Sequence, residues 1–224
     1  MELSRTELKF IITIDEYVKL KNQLQLIMNL DIHAEIDEDE YFLHSLYFDD
    51  FYDSRIFEKA DGIEFHQKFR IRTYSSSEKR LEYKTKVGNM TNKQSMWISD
   101  ELAQALILRD YPVLYQFIDE PLIQAILIRM KCDDLRPRLY VDYKREAYTY
   151  PEGDVRITFD KDICGYLFDR SISSKRKILE PRTMILEVKY TGILPDFIHK
   201  IVFYKNLQVL SYSKFYMSWL LLEI

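Results

Sequence analysis

The chain has 224 residues, of which 47% are hydrophobic and 30% charged, and its formal net charge is −4. That describes a globular protein with enough chain for one good-sized domain. An acidic balance excludes a general nucleic-acid coat, so any anion site must be a local concentration of Lys and Arg.

Arg5 to Ile12 alternates, with Arg5, Glu7 and Lys9 on one face and Leu8, Phe10 and Ile12 on the other, which predicts a strand. No apolar leader segment precedes it, so no signal peptide is expected. Thr13 or Asp15 can cap a helix running through Leu30. The acidic run from Asp31 to Glu40 reads as a solvated loop, and Tyr41–Phe48 as a second strand. Asp49 and Asp50 are placed to cap a short helix over residues 51–60. Residues 68–86, KFRIRTYSSSEKRLEYKTK, read as two strands joined at Ser75–Ser77, and residues 92–98 as another. Ser99–Met130 predicts helices broken near Pro112 and again at Pro121. Strands follow at 138–149, 154–160 and 184–190, with an irregular stretch over 162–181. Pro195 can start a helix, and Ser211 or Ser213 a last one. The count is about eight strands, mostly hairpin-linked, without repeats or a linker, so residues 1–224 read as a single domain. The two cysteines give no disulfide framework and suit a reducing cytosol, where the protein is expected to reside. No run approaches the ~20 apolar residues of a membrane span, so no membrane insertion is expected. The four histidines are scattered, and no His/Cys spacing suggests zinc.

The strand charges are spaced by two. Glu7/Lys9, Glu82/Lys84 and Glu187/Lys189 each share a face, as do Arg70 with Arg72 and Arg156 with Thr158, while Phe10, Leu81, Leu186, Ile71 and Phe159 lie opposite. One arrangement is an ordinary sheet with its charged face in water. The other is an α+β fold whose eight antiparallel strands form a barrel, charged faces inward and helices packed outside. Cations facing one another repel unless a polyanion fills the space, and a chain of phosphates would do so. Interspersed glutamates could then hold a divalent metal by oxygen ligation. Glu7 and Glu82 are candidates either for that role or for ion pairs among the cations. Lys86 either points in with Lys84 or sits at the rim. Strict alternation groups Arg145 with Val141, Tyr143 and Ala147, so it joins the charged face only near a barrel end or bulge.

Nine stretches occur in the order of one family: SRTELKF, SLYFDD, EKADGIEFHQKFRIRTY, RLEYKTK, NKQS, LRPRLYVDYKREAY, DVRITFD, ILEVKY and SKF. From Arg5 to about Phe215 the chain resembles the VTC domain, the polyphosphate polymerase domain of the vacuolar transporter chaperone family, in its stand-alone bacterial form. That family belongs to the triphosphate tunnel metalloenzymes, whose eight-stranded barrel binds triphosphate in a polar lumen. The resemblance implies transfer from ATP to inorganic polyphosphate with Mn²⁺ or Mg²⁺, and pyrophosphate or triphosphate as related ligands. It implies that Lys9, Arg70, Arg72, Lys84, Lys93, Arg145, Arg156, Lys189 and Lys214 hold phosphates, that Tyr143 and Ser213 add hydrogen bonds, and that Glu187 binds the metal. The related cyclase branch begins Glu-x-Glu-x-Lys. Here Arg5-Thr6-Glu7-Leu8-Lys9 stands instead, which favours the polymerase branch and removes one carboxylate. His44 and His66 stand where Arg is common in bacterial relatives. No sensor domain before residue 1 or membrane segment after residue 224 is expected. A tripolyphosphate or nucleoside triphosphate hydrolase, and a non-catalytic polyphosphate binder, would use the same residues.

Overall fold

The computed structural model describes residues 5–31, 39–88, 90–170, 172–205, 207–211 and 213–222. In chain order these form β1 (Arg5–Thr13), α1 (Ile14–Leu24), β2 (Asn29–Leu30), β3 (Tyr41–Asp49), α2 (Ser54–Ala60), β4 (Phe65–Tyr74), β5 (Lys79–Val87), β6 (Met90–Ile98), α3 (Asp100–Leu108), α4 (Tyr111–Leu114), α5 (Pro121–Cys132), β7 (Arg136–Tyr150), β8 (Val155–Leu167), β9 (Arg176–Lys177), β10 (Thr183–Thr191), α6 (Asp196–Val202) and α7 (Lys214–Leu222). Eight of the strands are long, as the alternation predicts, and every strand pairing whose register is resolved is antiparallel. The class is α+β.

The chain divides into two compact units. The first comprises Met1–Phe42, Tyr143–Ile163 and Lys177–Ser213, and the second Leu43–Asp142, Cys164–Arg176 and Lys214–Ile224. Four of their five boundaries fall inside strands β3, β7, β8 and β9, so no composition shift marks them.

In the first unit the strand order is β1–β10–β8–β7. Phe10, Ile157, Phe159, Leu186 and Val188 form one core with Leu20 and Leu24 of α1 and Ile198 and Val202 of α6. Thr13 is the cap of α1. Its hydroxyl accepts from the Glu16 N–H at 3.3 Å, while the Glu16 carboxylate accepts from the Thr13 N–H at 2.9 Å. The helix stops at Leu24 rather than Leu30. Asn29 and Leu30 instead pair with Thr149 and Tyr148, a ladder that local propensity does not reveal.

In the second unit β7–β3–β4–β5–β6 are neighbours. Phe69, Ile71 and Leu81 pack against Leu102 and Leu106 of α3 and Ile123 and Ile126 of α5. Asp49 and Asp50 do cap α2, but three residues later than the spacing suggests. Asp49 accepts from the N–H groups of Arg55 (3.0 Å) and Ile56 (3.1 Å), and Asp50 from that of Ser54 (3.0 Å). The C-terminal helix α7 packs through buried Phe215 and Ser218, and the Trp219 indole donates to Asp53 at 2.9 Å.

Two further expectations need correction. The stretch after residue 162 is not irregular at first, because β8 continues to Leu167 through Asp162, which takes φ 49°. Asp is among the few residues that tolerate this left-handed conformation, so alternation breaks there while the strand goes on. The ends of the acidic run are not simply solvated either. Asp31 is buried on Arg156, and Glu40 accepts from Lys161 at 2.7 Å, while residues 32–38 lie outside the described ones.

Candidate functional site

Cross-strand partners share a face, so the registers state which charges meet. In the first unit one row runs Lys9–Glu187–Thr158 and the next Glu7–Lys189–Arg156. Lys9 Nζ lies 2.7 Å from Glu7 and 3.5 Å from Glu187, and Lys189 Nζ lies 3.1 Å from Glu187. Arg145 donates to both oxygens of Asp160, from Nε at 2.6 Å and Nη2 at 2.8 Å. Its Nη2 also lies 3.6 Å from Glu187, and its guanidinium stands 5.2 Å from the Tyr143 ring centre. Arg145 therefore does join the charged cluster. Arg156 Nη2 donates to the Tyr41 hydroxyl at 2.9 Å and pairs with Asp31 at 2.9 Å. Four cations (Lys9, Arg145, Arg156, Lys189) thus meet four carboxylates (Glu7, Asp31, Asp160, Glu187).

Burial acts against the charge of Lys189 and, with Arg145 close by, pushes its ammonium down to about 8 despite Glu187 and Glu7. Burial also opposes the charge of Lys9, but Glu187 and Glu7 outweigh it and raise that ammonium. Burial and Glu187 both work against ionisation of Glu7, yet Lys189 and Lys9 hold its carboxyl below the ordinary value.

The charged strand face of the second unit is not balanced. Its rows are Ser45–Arg72–Arg80–Trp97, Tyr47–Arg70–Glu82–Ser95, Lys68–Lys84–Lys93 and His66–Lys86–Thr91. Those rows carry seven cations (Lys68, Arg70, Arg72, Arg80, Lys84, Lys86, Lys93) and one carboxylate, Glu82. Glu82 is 2% exposed. It accepts from Arg70 Nε and, at 2.7 Å, from Lys93 Nζ, with Arg72 Nη1 at 3.9 Å. Burial would raise its carboxyl, but Arg70, Arg72 and Lys93 together hold it far below the carboxylate range. Arg70 Nη1 donates to the Tyr47 hydroxyl at 3.0 Å, and the Tyr47 ring stacks on Phe215 with centres 4.6 Å apart. Burial opposes ionisation of Tyr47, but Arg70, Arg72 and Lys214 lower its phenol, which places the first residue of α7 within electrostatic reach of this face. Lys84 is half-buried between Lys68 and Lys93, whereas Lys86 is exposed. Ser213 is buried.

Alternation alone misses Tyr47, Tyr41, Asp160 and Arg80. Tyr47 stands in the SLYFDD stretch two residues after Ser45, and Thr158 and Asp160 follow Arg156 at the same spacing of two. The signal was present but names no partner. His44 does have one, since its Nδ1 lies 2.6 Å from Asp142.

Among the described residues no cluster of three or more His, Cys, Asp or Glu side chains could hold a metal. Glu7 and Glu187 lie diagonally on adjacent strands, close enough for the charge of one to oppose that of the other. Two carboxylates fit a hard divalent ion that takes its remaining ligands from phosphate oxygens and water. Glu82 does not fit as well, because both its oxygens are engaged by cations.

The VTC domain model matches residues 4–223. No curated protein matches the chain. Among solved structures, a Hippeastrum protein, HpAC1, described as an adenylyl cyclase with a dominant triphosphatase activity, is similar over 99% of this chain and 97% of its own, with TM-score 0.59 and 13% identity. The PH1819 protein of Pyrococcus horikoshii OT3 is similar over 97% and 98%, with TM-score 0.52 and 16% identity. A Bacillus halodurans protein described as an adenylate cyclase is similar over 95% of each chain, with TM-score 0.53 and 11% identity. These likenesses are of fold. Among the described residues no helix is long and apolar enough to cross a membrane. With a family model covering nearly its whole length, the chain belongs to the VTC domain family.

Proposed function

We propose that this protein is a polyphosphate polymerase that moves the terminal phosphoryl group of ATP onto a growing inorganic polyphosphate chain. The observation that carries the reading is the face with seven cations and one carboxylate in the second unit. Such a face is self-repelling when empty and favours a ligand bearing negative charge at every step, as a phosphate chain does. Arg70 and Arg72 offer forked contacts to phosphoryl oxygens, and Lys84, Lys93 and Lys214 point charges. Lys9, Arg145, Arg156 and Lys189 of the first unit are a second set of cations able to neutralise phosphoryl oxygens, with Tyr143 and Ser213 as hydrogen-bonding groups.

Glu187, with Glu7, would hold Mn²⁺ or Mg²⁺. The ion's contribution when bound is to offset charge on the phosphate oxygens. Glu82 keeps Arg70, Arg72 and Lys93 at fixed positions in the empty protein. The terminal oxygen of the acceptor chain attacks the γ-phosphorus in line, the bond to the β-bridging oxygen breaks, and ADP leaves. No protein nucleophile takes part, because positioning and charge stabilisation dominate such a transfer.

A hydrolase is the second reading, favoured by the triphosphatase activity described for the Hippeastrum protein of similar fold. Incubation with ATP and Mn²⁺ separates the two. Long-chain polyphosphate on a stained gel supports the polymerase. Stoichiometric release of orthophosphate without polymer supports the hydrolase, and binding without turnover of either kind reduces the protein to a polyphosphate binder.

A further inference from the structure

The row Ser45–Arg72–Arg80–Trp97 extends the cationic face one step beyond the row of Glu82. Two of its members carry an unmet hydrogen-bonding group. The Ser45 side chain is fully buried and its Oγ has no partner, and the Arg80 Nε is buried without an acceptor. Each such group is unfavourable in an empty site. Arg72 and Arg80 are also direct cross-strand neighbours of like charge, which is unfavourable. Arg80 is nevertheless held in place, with its guanidinium 5.1 Å from the Trp97 ring centre. Trp97 is in turn packed against Tyr74 at 5.7 Å and is 51% exposed, so this end of the row opens to solvent.

Two buried groups left unmet on either side of Arg72, and an arginine held by stacking rather than by a carboxylate, are what a missing anion would resolve. We propose that Arg80 and the Ser45 hydroxyl form an additional phosphoryl subsite beside Arg72, which binds one more unit of a phosphate chain and so favours triphosphate and longer chains over pyrophosphate. The subsite rests on the reading of this face as a polyphosphate site. A tetrahedral phosphoryl group presents several acceptor oxygens, so it can satisfy the Arg80 fork and the Ser45 hydroxyl along one row. Neither residue is needed to hold the cations around Glu82, which are already paired.

Calorimetric titration of the full chain with pyrophosphate and with tripolyphosphate, free of metal, tests this on the parent, Arg80→Gln and Ser45→Ala. Arg80→Gln keeps much of the aliphatic stem while removing the guanidinium and its charge. It should weaken tripolyphosphate binding roughly tenfold or more, the loss of one charge-assisted hydrogen bond, and leave pyrophosphate affinity almost unchanged. Ser45→Ala should weaken tripolyphosphate several-fold without lowering the melting midpoint, since it removes a group that is unsatisfied in the empty protein. Parent-like tripolyphosphate affinity in Arg80→Gln, or equal losses for the two ligands, overturns the subsite while leaving the polyphosphate reading intact. A parent protein that binds neither ligand overturns that reading and the subsite with it.

Discussion

Replacing Glu82 with Gln is the sharpest perturbation of the cationic face. The substitution keeps the side-chain volume and removes the only carboxylate from rows that hold seven cations. Arg70, Arg72 and Lys93 then face one another without the Glu82 charge between them. Removing one partner of a buried pair costs about 3–5 kcal/mol, and Lys93, whose side chain is 44% exposed, is partly screened by water, so about 3 kcal/mol is expected. For a chain of this length that lowers the melting midpoint by about 6–12 °C. The loss should be recovered by ligand. Tripolyphosphate supplies the missing negative charge and binds the native state only, so its stabilising shift should be larger in the variant than in the parent. The pH dependence has a definite sign. The Glu82 carboxyl lies below its ordinary value of 4.5 in the folded protein, so its contribution is fully present above that pH and fades as the pH falls further. The gap between parent and variant should therefore close in acid. Melting curves by circular dichroism, with and without tripolyphosphate, give all three results. An unchanged midpoint in the variant, or a ligand shift smaller than the parent's, would refute the account of this face as cations awaiting a polyanion.

Lys189 makes a second pH experiment. With its ammonium pushed down to about 8, charge is lost as pH rises from 7 to 9, so tripolyphosphate affinity should fall across that range. Over the window from 8 to 10.5 the unfolded chain binds more protons at this residue, so its effect on stability runs the opposite way, upward with pH. Lys189→Arg should flatten both trends, and an affinity slope that persists unchanged would assign the titration elsewhere. Glu187→Gln should abolish turnover while calorimetry shows triphosphate binding largely retained, and turnover at the parent rate would remove Glu187 from the reaction. Lys214→Ala should leave the melting midpoint almost unchanged, since a partly exposed charge contributes little to folding, yet weaken triphosphate binding and turnover. Unaltered affinity and rate would leave α7 with a packing role alone.

The amino-acid order by itself determined the two-faced strands. A spacing of two puts Lys68, Arg70 and Arg72 on one side and Phe69 and Ile71 on the other whatever the neighbours are, because a strand's side chains alternate. The Thr13–Glu16 capping box and the proline breaks of the central helices are equally local, and so were readable. The partners were not. Glu82 meets Arg70 through the β4–β5 register and Lys93 from β6, and no one-dimensional pattern states a register. Arg145 shows the same limit. Alternation grouped it with Val141 and Ala147, yet Asp160 on β8 and Glu187 on β10 draw it into an ionic cluster. Asp31 lay in what read as a solvated acidic run, and only the fold brings Arg156 to it. The contrast between strand rows of the first unit whose cations meet carboxylates and strand rows of the second that hold seven cations and one carboxylate is likewise a product of tertiary pairing. Coulomb energy depends on distances that the chain sets only once its strands are side by side.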